Sequence, residues 1–225
     1  MVHDGIGRLD PGEQRARRAR RGTDTFRLSR WVGYATAGEG IGFLAPTAGF
    51  ALTTGLGTGT WATFVIMVAA GTVEGACLGV GQSLSLRGTA VDPGRRRWTV
   101  ATAVAAAVAW MIGMLPSTLA DLGVRWDPGS PGGIAGIGAG GLLLLASIPT
   151  GQWIVLRRTL GRAWRWIPLT MAAWLIGLVF TVLPSPFIDA ETPAAVLWVA
   201  YAAAGVAMAV TVATLTGLGL RRLLR

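Results

Sequence analysis

The stretch GQWIVLRR at residues 151–158 ends one of the long apolar runs of this chain. An earlier apolar run ends similarly, with GQSLSLR at residues 81–87, and LRR at residues 220–222 is a weaker version of the same ending. Together with three shared beginnings, these endings predict three copies of one unit, in which one helix leaves the membrane surface at Arg-Trp and the next returns to it at Leu-Arg. The Arg-Trp pairs are residues 30–31, 97–98 and 165–166.

The composition is typical of an integral membrane protein. Of the 225 residues, 52% are hydrophobic and only 14% are charged, well below the roughly 25% of charged residues in soluble domains. The apolar runs are about 20 residues long, which at about 1.5 Å per residue spans roughly 30 Å of hydrocarbon. We therefore expect an all-α integral membrane protein whose main partner is the lipid bilayer.

The positive charge indicates membrane orientation rather than nucleic-acid binding. The net charge of +9 comes from arginines alone, because the sequence contains no lysine. Basic residues at the cytoplasmic ends of membrane spans explain this surplus, so no nucleic-acid partner is expected. The missing lysines and the abundance of alanine, glycine and arginine are typical of a GC-rich bacterial genome. These features predict a multi-pass protein of the bacterial cytoplasmic membrane.

Cysteine and histidine are too scarce for several kinds of chemistry. Cys77 is the single cysteine and His3 is the single histidine. An internal disulfide is therefore excluded, and no metal site or other cofactor is expected. Without a Ser/His/Asp set or paired aqueous carboxylates, the sequence also does not predict an enzyme.

Charge alternation predicts six transmembrane helices with both termini in the cytoplasm. In that topology every arginine except Arg125 lies on the cytoplasmic side, whereas five or seven spans would break the pattern. Residues 1–29 would form a basic cytoplasmic tail and residues 30–225 a six-helix membrane domain. The outer loops hold the acidic residues Asp121, Asp127, Asp189 and Glu191. The six helices are expected at about residues 31–53, 61–86, 98–119, 134–156, 166–182 and 194–220.

Regular spacing predicts three tandem helical hairpins. The tryptophans of the Arg-Trp pairs are 67 and 68 residues apart, and the glutamines of the two Gly-Gln pairs are 70 residues apart. Leu-Pro-Ser also recurs, at residues 115–117 and 183–185. Arg-Trp and Leu-Arg are common at cytoplasmic interfaces, but that alternative explains the Gly-Gln and Leu-Pro-Ser matches less well. The hairpins are expected at about residues 30–87, 97–158 and 165–222.

The stretch at residues 151–158 resembles a segment of uncharacterised bacterial multi-span membrane proteins, in which Gln-Trp-(aliphatic)-Val-Leu-Arg-Arg recurs before a tryptophan-rich segment. Trp164 and Trp166 occupy that following position here. The resemblance covers mainly residues 145–180, and more loosely residues 75–115, where Ser83 replaces the tryptophan of the pattern. It implies a multi-span topology and no particular chemistry, because the group has no assigned activity.

Two carboxylates lie inside predicted membrane spans. Glu39 follows Trp31 by eight residues, a depth of about 12 Å, and Glu74 precedes Leu86 by twelve residues, a depth of about 18 Å from the same side. An ionised carboxylate at such a depth costs a few kcal/mol. Each should therefore face the bundle interior or a water-filled cavity, or be protonated.

The hairpin alignment gives these acids no counterparts. Glu39 aligns with Ala106 and Trp174, whereas Glu74 aligns with Leu144 and Met208. A residue needed only to hold a hairpin together would more naturally recur. We therefore expect Glu39 and Glu74 to form a proton, cation or cationic-substrate site, and the alternative is interhelical hydrogen bonding or contact with a partner chain.

Small and polar residues predict close helix packing near these acids. Gln82 and Gln152 lie about one turn inside the expected cytoplasmic boundary. Buried amides at that depth usually form hydrogen bonds between helices, and the alternative is that they line an inner mouth. Small residues let helices approach closely in lipid. The glycines expected to pack in this way are Gly38, Gly42, Gly71, Gly75 and Gly79.

The sequence favours transport over two other functions. We expect a channel-like or proton-coupled protein for a small solute or ion, and a homo-oligomer or larger membrane complex is plausible for a chain with only six helices. The alternative is a non-catalytic membrane subunit or scaffold that packs through its glycine faces. An intramembrane enzyme acting on lipid is disfavoured because the usual catalytic residue sets are absent.

Overall fold

The computed structural model describes Asp10, residues 26–189 and residues 191–225, so most of the expected cytoplasmic tail lies outside the described residues. Within them the chain is helical and contains no strand. Two 3-10 helices, Ala163–Arg165 and Ser185–Phe187, flank the sixth α-helix. The α-helices, numbered in chain order, are α1 (Leu28–Gly42), α2 (Leu44–Leu56), α3 (Thr60–Leu86), α4 (Arg95–Asp121), α5 (Pro131–Leu156), α6 (Trp166–Val182) and α7 (Ala194–Leu223).

Five of the described helices are long and apolar enough to cross a membrane: α3, α4, α5, α7, and α6 together with its flanking 3-10 helices. In the most apolar 18-residue segment of each helix, most residues are exposed. Only 6% of this segment in α5 and 33% in α3 is buried within the chain. Such large apolar surfaces require an apolar surrounding. The architecture is therefore compatible with a helical membrane protein, as the composition predicts.

The helix expected at residues 31–53 is bent and divides into α1 and α2 at Phe43. The helical hydrogen bond persists at the bend, because the Phe43 amide donates to the Glu39 carbonyl at 2.8 Å. Pro46 provides the physical reason for the bend. It has no N–H to donate to the Gly42 carbonyl, and a proline ring in this position clashes with the preceding turn.

Six helices form a closed ring in the order α1, α3, α4, α5, α6 and α7, and α7 packs back against α1. The α2 helix lies outside this order and packs on α3. Most neighbours in the ring are also neighbours in sequence, as short connections require. The contact between α1 and α7 joins the two ends of the described bundle and closes the ring.

The ends of all six ring helices meet in one cluster, which we call the tryptophan core. Its three tryptophans each lie in the first turn of a helix and are at most 1% exposed, and the ring of Trp166 makes edge-to-face contacts with the other two. Aromatic pairs in this geometry are favourable beyond the apolar area that they bury. The main residues of the core are Trp31, Leu86, Trp98, Leu156, Trp166 and Leu220.

The three helices that carry these tryptophans in their first turn each have a buried face of the same pattern. Small residues follow each tryptophan at four, seven and eleven positions, a spacing that lies along one side of an α-helix. All nine positions are buried. They are Ala35, Gly38 and Gly42 in α1, Thr102, Ala105 and Ala109 in α4, and Thr170, Ala173 and Gly177 in α6.

The five glycines expected at helix contacts lie where α3 meets its two neighbours. A Cβ atom on Gly38 would stand 2.6 Å from the Cys77 carbonyl oxygen, and one on Gly42 would stand 2.9 Å from the Glu74 carbonyl oxygen. These two glycines therefore allow α1 to approach the backbone of α3. Gly71, Gly75 and Gly79 similarly face Trp110, Ala106 and Thr99 of α4.

We expect Gly38→Ala to destabilise the protein by about 1–3 kcal/mol, because its methyl group would collide with the α3 backbone. Gly40→Ala is the matched control, since Gly40 lies on the same helix and a Cβ there has nothing within 4 Å. Thermal unfolding of the detergent-solubilised variants, followed by circular dichroism, measures the difference. Equal midpoints for the two variants would contradict the proposed close contact.

Candidate functional site

The helix ring surrounds a central cavity of about 490 Å³. All six ring helices contribute to its wall, so the cavity depends on the complete bundle. Its lining is mostly aliphatic and aromatic. The residues that matter most for its chemistry are Glu39, Phe43, Glu74, Trp110, Trp174 and Thr181.

The structure brings the two carboxylates predicted from the sequence to this one cavity. Glu39 comes from α1, immediately before the bend at Phe43, and its residue surface is only 5% exposed. Glu74 comes from the middle of α3. The close contact between Gly42 and the Glu74 backbone holds these two helices together at this depth.

The two carboxylates differ in their hydrogen bonding. Glu74 accepts a hydrogen bond at Oε2 from the indole N–H of Trp110, over 2.9 Å. In Glu39 the buried Oε2 atom has no hydrogen-bond partner in the part of the chain that the structure describes. A buried carboxylate oxygen without a partner is costly, so Glu39 is the group in this cavity that a ligand or proton would stabilise most.

The rest of the wall offers few polar atoms and no positive charge among the described lining residues. Phe43, Trp110 and Trp174 provide aromatic surface, while the aliphatic part includes leucines from α3, α5 and α6. Among the described lining residues, Thr181 is the one that carries a hydroxyl group. The cavity therefore combines two carboxyl groups with an apolar and aromatic wall.

A narrow gap of about 10 Å³ lies beside Glu39 and is lined by residues that include Gln82, Trp174 and Thr216. This volume is close to the minimum that a single water molecule needs. Glu39 borders both the central cavity and the narrow gap. The gap therefore places Glu39 between the cavity and the polar side chains beside the tryptophan core.

Of the residues that line the gap, Gln82 belongs to a connected hydrogen-bond network. The Gln152 amide nitrogen donates to Gln82 Oε1 at 2.8 Å and to Thr102 Oγ1 at 3.2 Å. Two indole N–H groups complete it: Trp98 donates to Gln82 at 3.0 Å, and Trp166 donates to Gln152 at 2.9 Å. Gln152 is fully buried, and Gln82 is 5% exposed and borders the narrow gap.

Each core tryptophan donates a hydrogen bond to a helix that ends an expected hairpin, namely the hairpin that comes before its own around the ring. Trp98 bonds to α3 and Trp166 bonds to α5, while the Trp31 indole donates to Thr216 of α7 at 3.2 Å. Thr216 precedes Leu220 by four residues, as Gln82 precedes Leu86 and Gln152 precedes Leu156. The three indole hydrogen bonds therefore follow one pattern around the ring.

The positions that the expected hairpin alignment matches to the two acids also line the cavity. Ala106 and Trp174, which align with Glu39, both line the cavity. Leu144 and Met208, which align with Glu74, line it as well. The positions matched in the expected alignment therefore surround one space. Among the described lining residues, only α1 and α3 contribute acids to it.

The hydrogen-bond partners of these residues could not be predicted from the sequence. Trp110 lies in an apolar run with several other candidate contacts, and the sequence does not indicate that it reaches Glu74. Thr216 resembles many threonines that bond only to their own helix. One signal was available for the bend at Phe43, namely Pro46 inside the first predicted span.

No protein-family model, curated protein or solved structure matches this chain. The resemblance of residues 145–180 to bacterial multi-span proteins therefore stays a prediction. The chemistry available in this site is that of two carboxylates in an apolar and aromatic cavity, beside a buried amide network.

We expect Gln152→Leu to destabilise the protein by about 1–3 kcal/mol, because it leaves the buried Trp166 N–H without an acceptor. Ser147→Ala is the control in the same helix, since the Ser147 hydroxyl bonds only to the Leu144 carbonyl of its own helix. Unfolding titrations in mixed micelles measure both free energies. A Gln152→Leu protein as stable as the Ser147→Ala protein would argue against a stabilising amide network.

Proposed function

We propose that this chain is a transport protein of the bacterial cytoplasmic membrane for a small solute or ion, with proton coupling as one form of the mechanism. The observation that supports this proposal is the buried Glu39 Oε2 atom, which has no hydrogen-bond partner among the described residues, beside a cavity of about 490 Å³. Glu39 and Glu74 would bind the substrate or the coupling proton. Gln82 and Gln152 would lie near the inner mouth.

The chemistry of the cavity favours binding over a purely structural role for the acids. A carboxylate that serves only to join helices would have its oxygens paired with donors from neighbouring helices. Glu74 has such a donor in Trp110, but Glu39 Oε2 has none among the described residues. The aligned positions Ala106 and Trp174 are uncharged, so the fold does not require an acid in this place.

We also propose six membrane spans in three tandem hairpins, with both termini in the cytoplasm. The bent pair α1–α2 would cross as one span, and the five long helices would provide the others. The three indole hydrogen bonds and the three matching small-residue faces support the repeat. The positive-inside pattern supports the orientation.

A second candidate is a membrane subunit that packs against another chain. The observation in its favour is the glycine-rich first half of α5, where a Cβ on Gly136 or Gly140 would have nothing within 4 Å. Such an open small-residue surface suits a neighbouring helix. A detergent-solubilised complex with the mass of a single chain would count against this candidate.

The transport proposal predicts that water reaches the central cavity. We expect Glu74→Cys, in a Cys77→Ser background, to react with trimethylammonium-ethyl methanethiosulfonate from one side of sealed vesicles at least ten-fold faster than Val73→Cys. The adjacent Val73 side chain is 52% exposed on the outer surface of α3, where lipid would suppress thiolate formation. No difference from either side of the membrane would overturn the transport proposal.

The proposed topology predicts opposite labelling of two loops. In the same Cys77→Ser background, we expect Val124→Cys to react with a membrane-impermeant maleimide in intact cells, because residue 124 lies in an outer loop. Gly161→Cys should react only after permeabilisation, because residue 161 lies in a basic inner loop. Gly161 has open space around its Cβ position, so the substitution itself is tolerated. Labelling of both positions from the same side would contradict six spans.

A further inference from the structure

We propose that the central cavity binds a hydrophobic organic cation with one positive charge, such as a protonated or quaternary amine that carries apolar or aromatic groups. This inference rests on the proposed transport function and names the class of its substrate. It is derived from four properties of the described residues: charge, coordination capacity, wall chemistry and volume.

The two carboxyl groups of the cavity favour a cation, which can pair with their ionised form. Glu39 and Glu74 are the ionisable residues of its described lining, and the arginines of the helices lie at their ends. A cation beside Glu39 Oε2 would supply the partner that this buried atom lacks within the described residues. Glu74, already bonded to Trp110, would contribute a second negative charge nearby.

The scarcity of oxygen ligands argues against Ca²⁺ or Mg²⁺ held mainly by protein oxygen atoms. Ca²⁺ binds six to eight oxygen atoms, and Mg²⁺ demands near-octahedral oxygen coordination. The cavity lining offers two carboxylates and the Thr181 hydroxyl. Within the residues that the structure describes, no group of three or more acidic, histidine or cysteine side chains could hold a metal ion. An organic cation needs far fewer directed ligands.

The wall suits the apolar part of such a molecule. Phe43, Trp110 and Trp174 present aromatic rings, and indole is the most favourable aromatic partner for a cation. Leu78, Ile148 and other aliphatic residues complete the lining. The ligand's charge would therefore lie near the carboxylates while its substituents contact an apolar surface.

The volume suits one molecule of moderate size. Small-molecule pockets usually measure about 300–1,000 Å³, and this cavity measures about 490 Å³. Along the helices the cavity extends away from the tryptophan core, to Met114 in α4 and Thr181 in α6. A hydrophobic cation that partitions into the membrane would reach this half of the bundle from the lipid.

Tetraphenylphosphonium and tetraphenylborate provide a test with two molecules of similar shape and opposite charge. We expect the full-length protein in a non-ionic detergent to bind tetraphenylphosphonium saturably, as measured by isothermal titration calorimetry. Glu39→Gln should weaken this binding at least ten-fold, and tetraphenylborate should show no saturable binding. Glu191→Gln, at an exposed loop position, is the charge-matched control and should bind like the unsubstituted protein.

Glu74→Gln serves as a second variant, because an amide oxygen can still accept the Trp110 hydrogen bond. We expect it to fold normally and to bind tetraphenylphosphonium several-fold more weakly. Equal binding of the two ions, or unchanged binding by both glutamine variants, would overturn the proposed ligand class. Absent tetraphenylphosphonium binding, combined with rapid thiol modification of Glu74→Cys, would reject the organic cation while leaving transport intact.

Discussion

The hydrogen bond between the side-chain amides of Gln82 and Gln152 is the contact on which the closed end of the bundle depends. Each amide also accepts an indole N–H, so the side chains of four helices are joined by three buried hydrogen bonds. In lipid, a polar group that lacks a protein partner finds no water to replace it. The helices must therefore keep the rotation and depth at which these groups meet. The tryptophan core then fills the space around them.

The first pair of helices in the ring, α1 and α3, carries the two acids of the cavity wall. Its helix α1 carries the same small-residue face as α4 and α6, but Glu39 lies beside that face and Pro46 bends the chain just beyond it. The bend places Phe43 in the cavity wall together with Glu39. The acids of the cavity wall therefore lie on the α1–α3 side, and Trp174 lies on the α6 side.

Much of the helical framework could be predicted because lipid imposes the same requirement on every span. For α3, α4, α5 and α7, the predicted ends lie within three residues of the observed ends. For α6, the prediction matches at both ends. Glu39 and Glu74 were recognisable because a carboxylate in an apolar run is costly however the helices pack. The bend was encoded by Pro46, but the hydropathy pattern alone gave no sign of it.

The sequence by itself therefore determined where the helices lie, which residues could pack closely and which two acids needed an interior position. Only the tertiary structure decided that Trp110 bonds to Glu74, that Glu39 Oε2 has no partner among the described residues, and that Trp31 bonds to Thr216 across 185 residues of sequence. These pairings depend on the order of helices in the ring and on the rotation of each helix about its axis. Hydrophobic periodicity constrains that rotation weakly in lipid, because apolar side chains are accommodated on every face, and close backbone contacts at glycines set it instead.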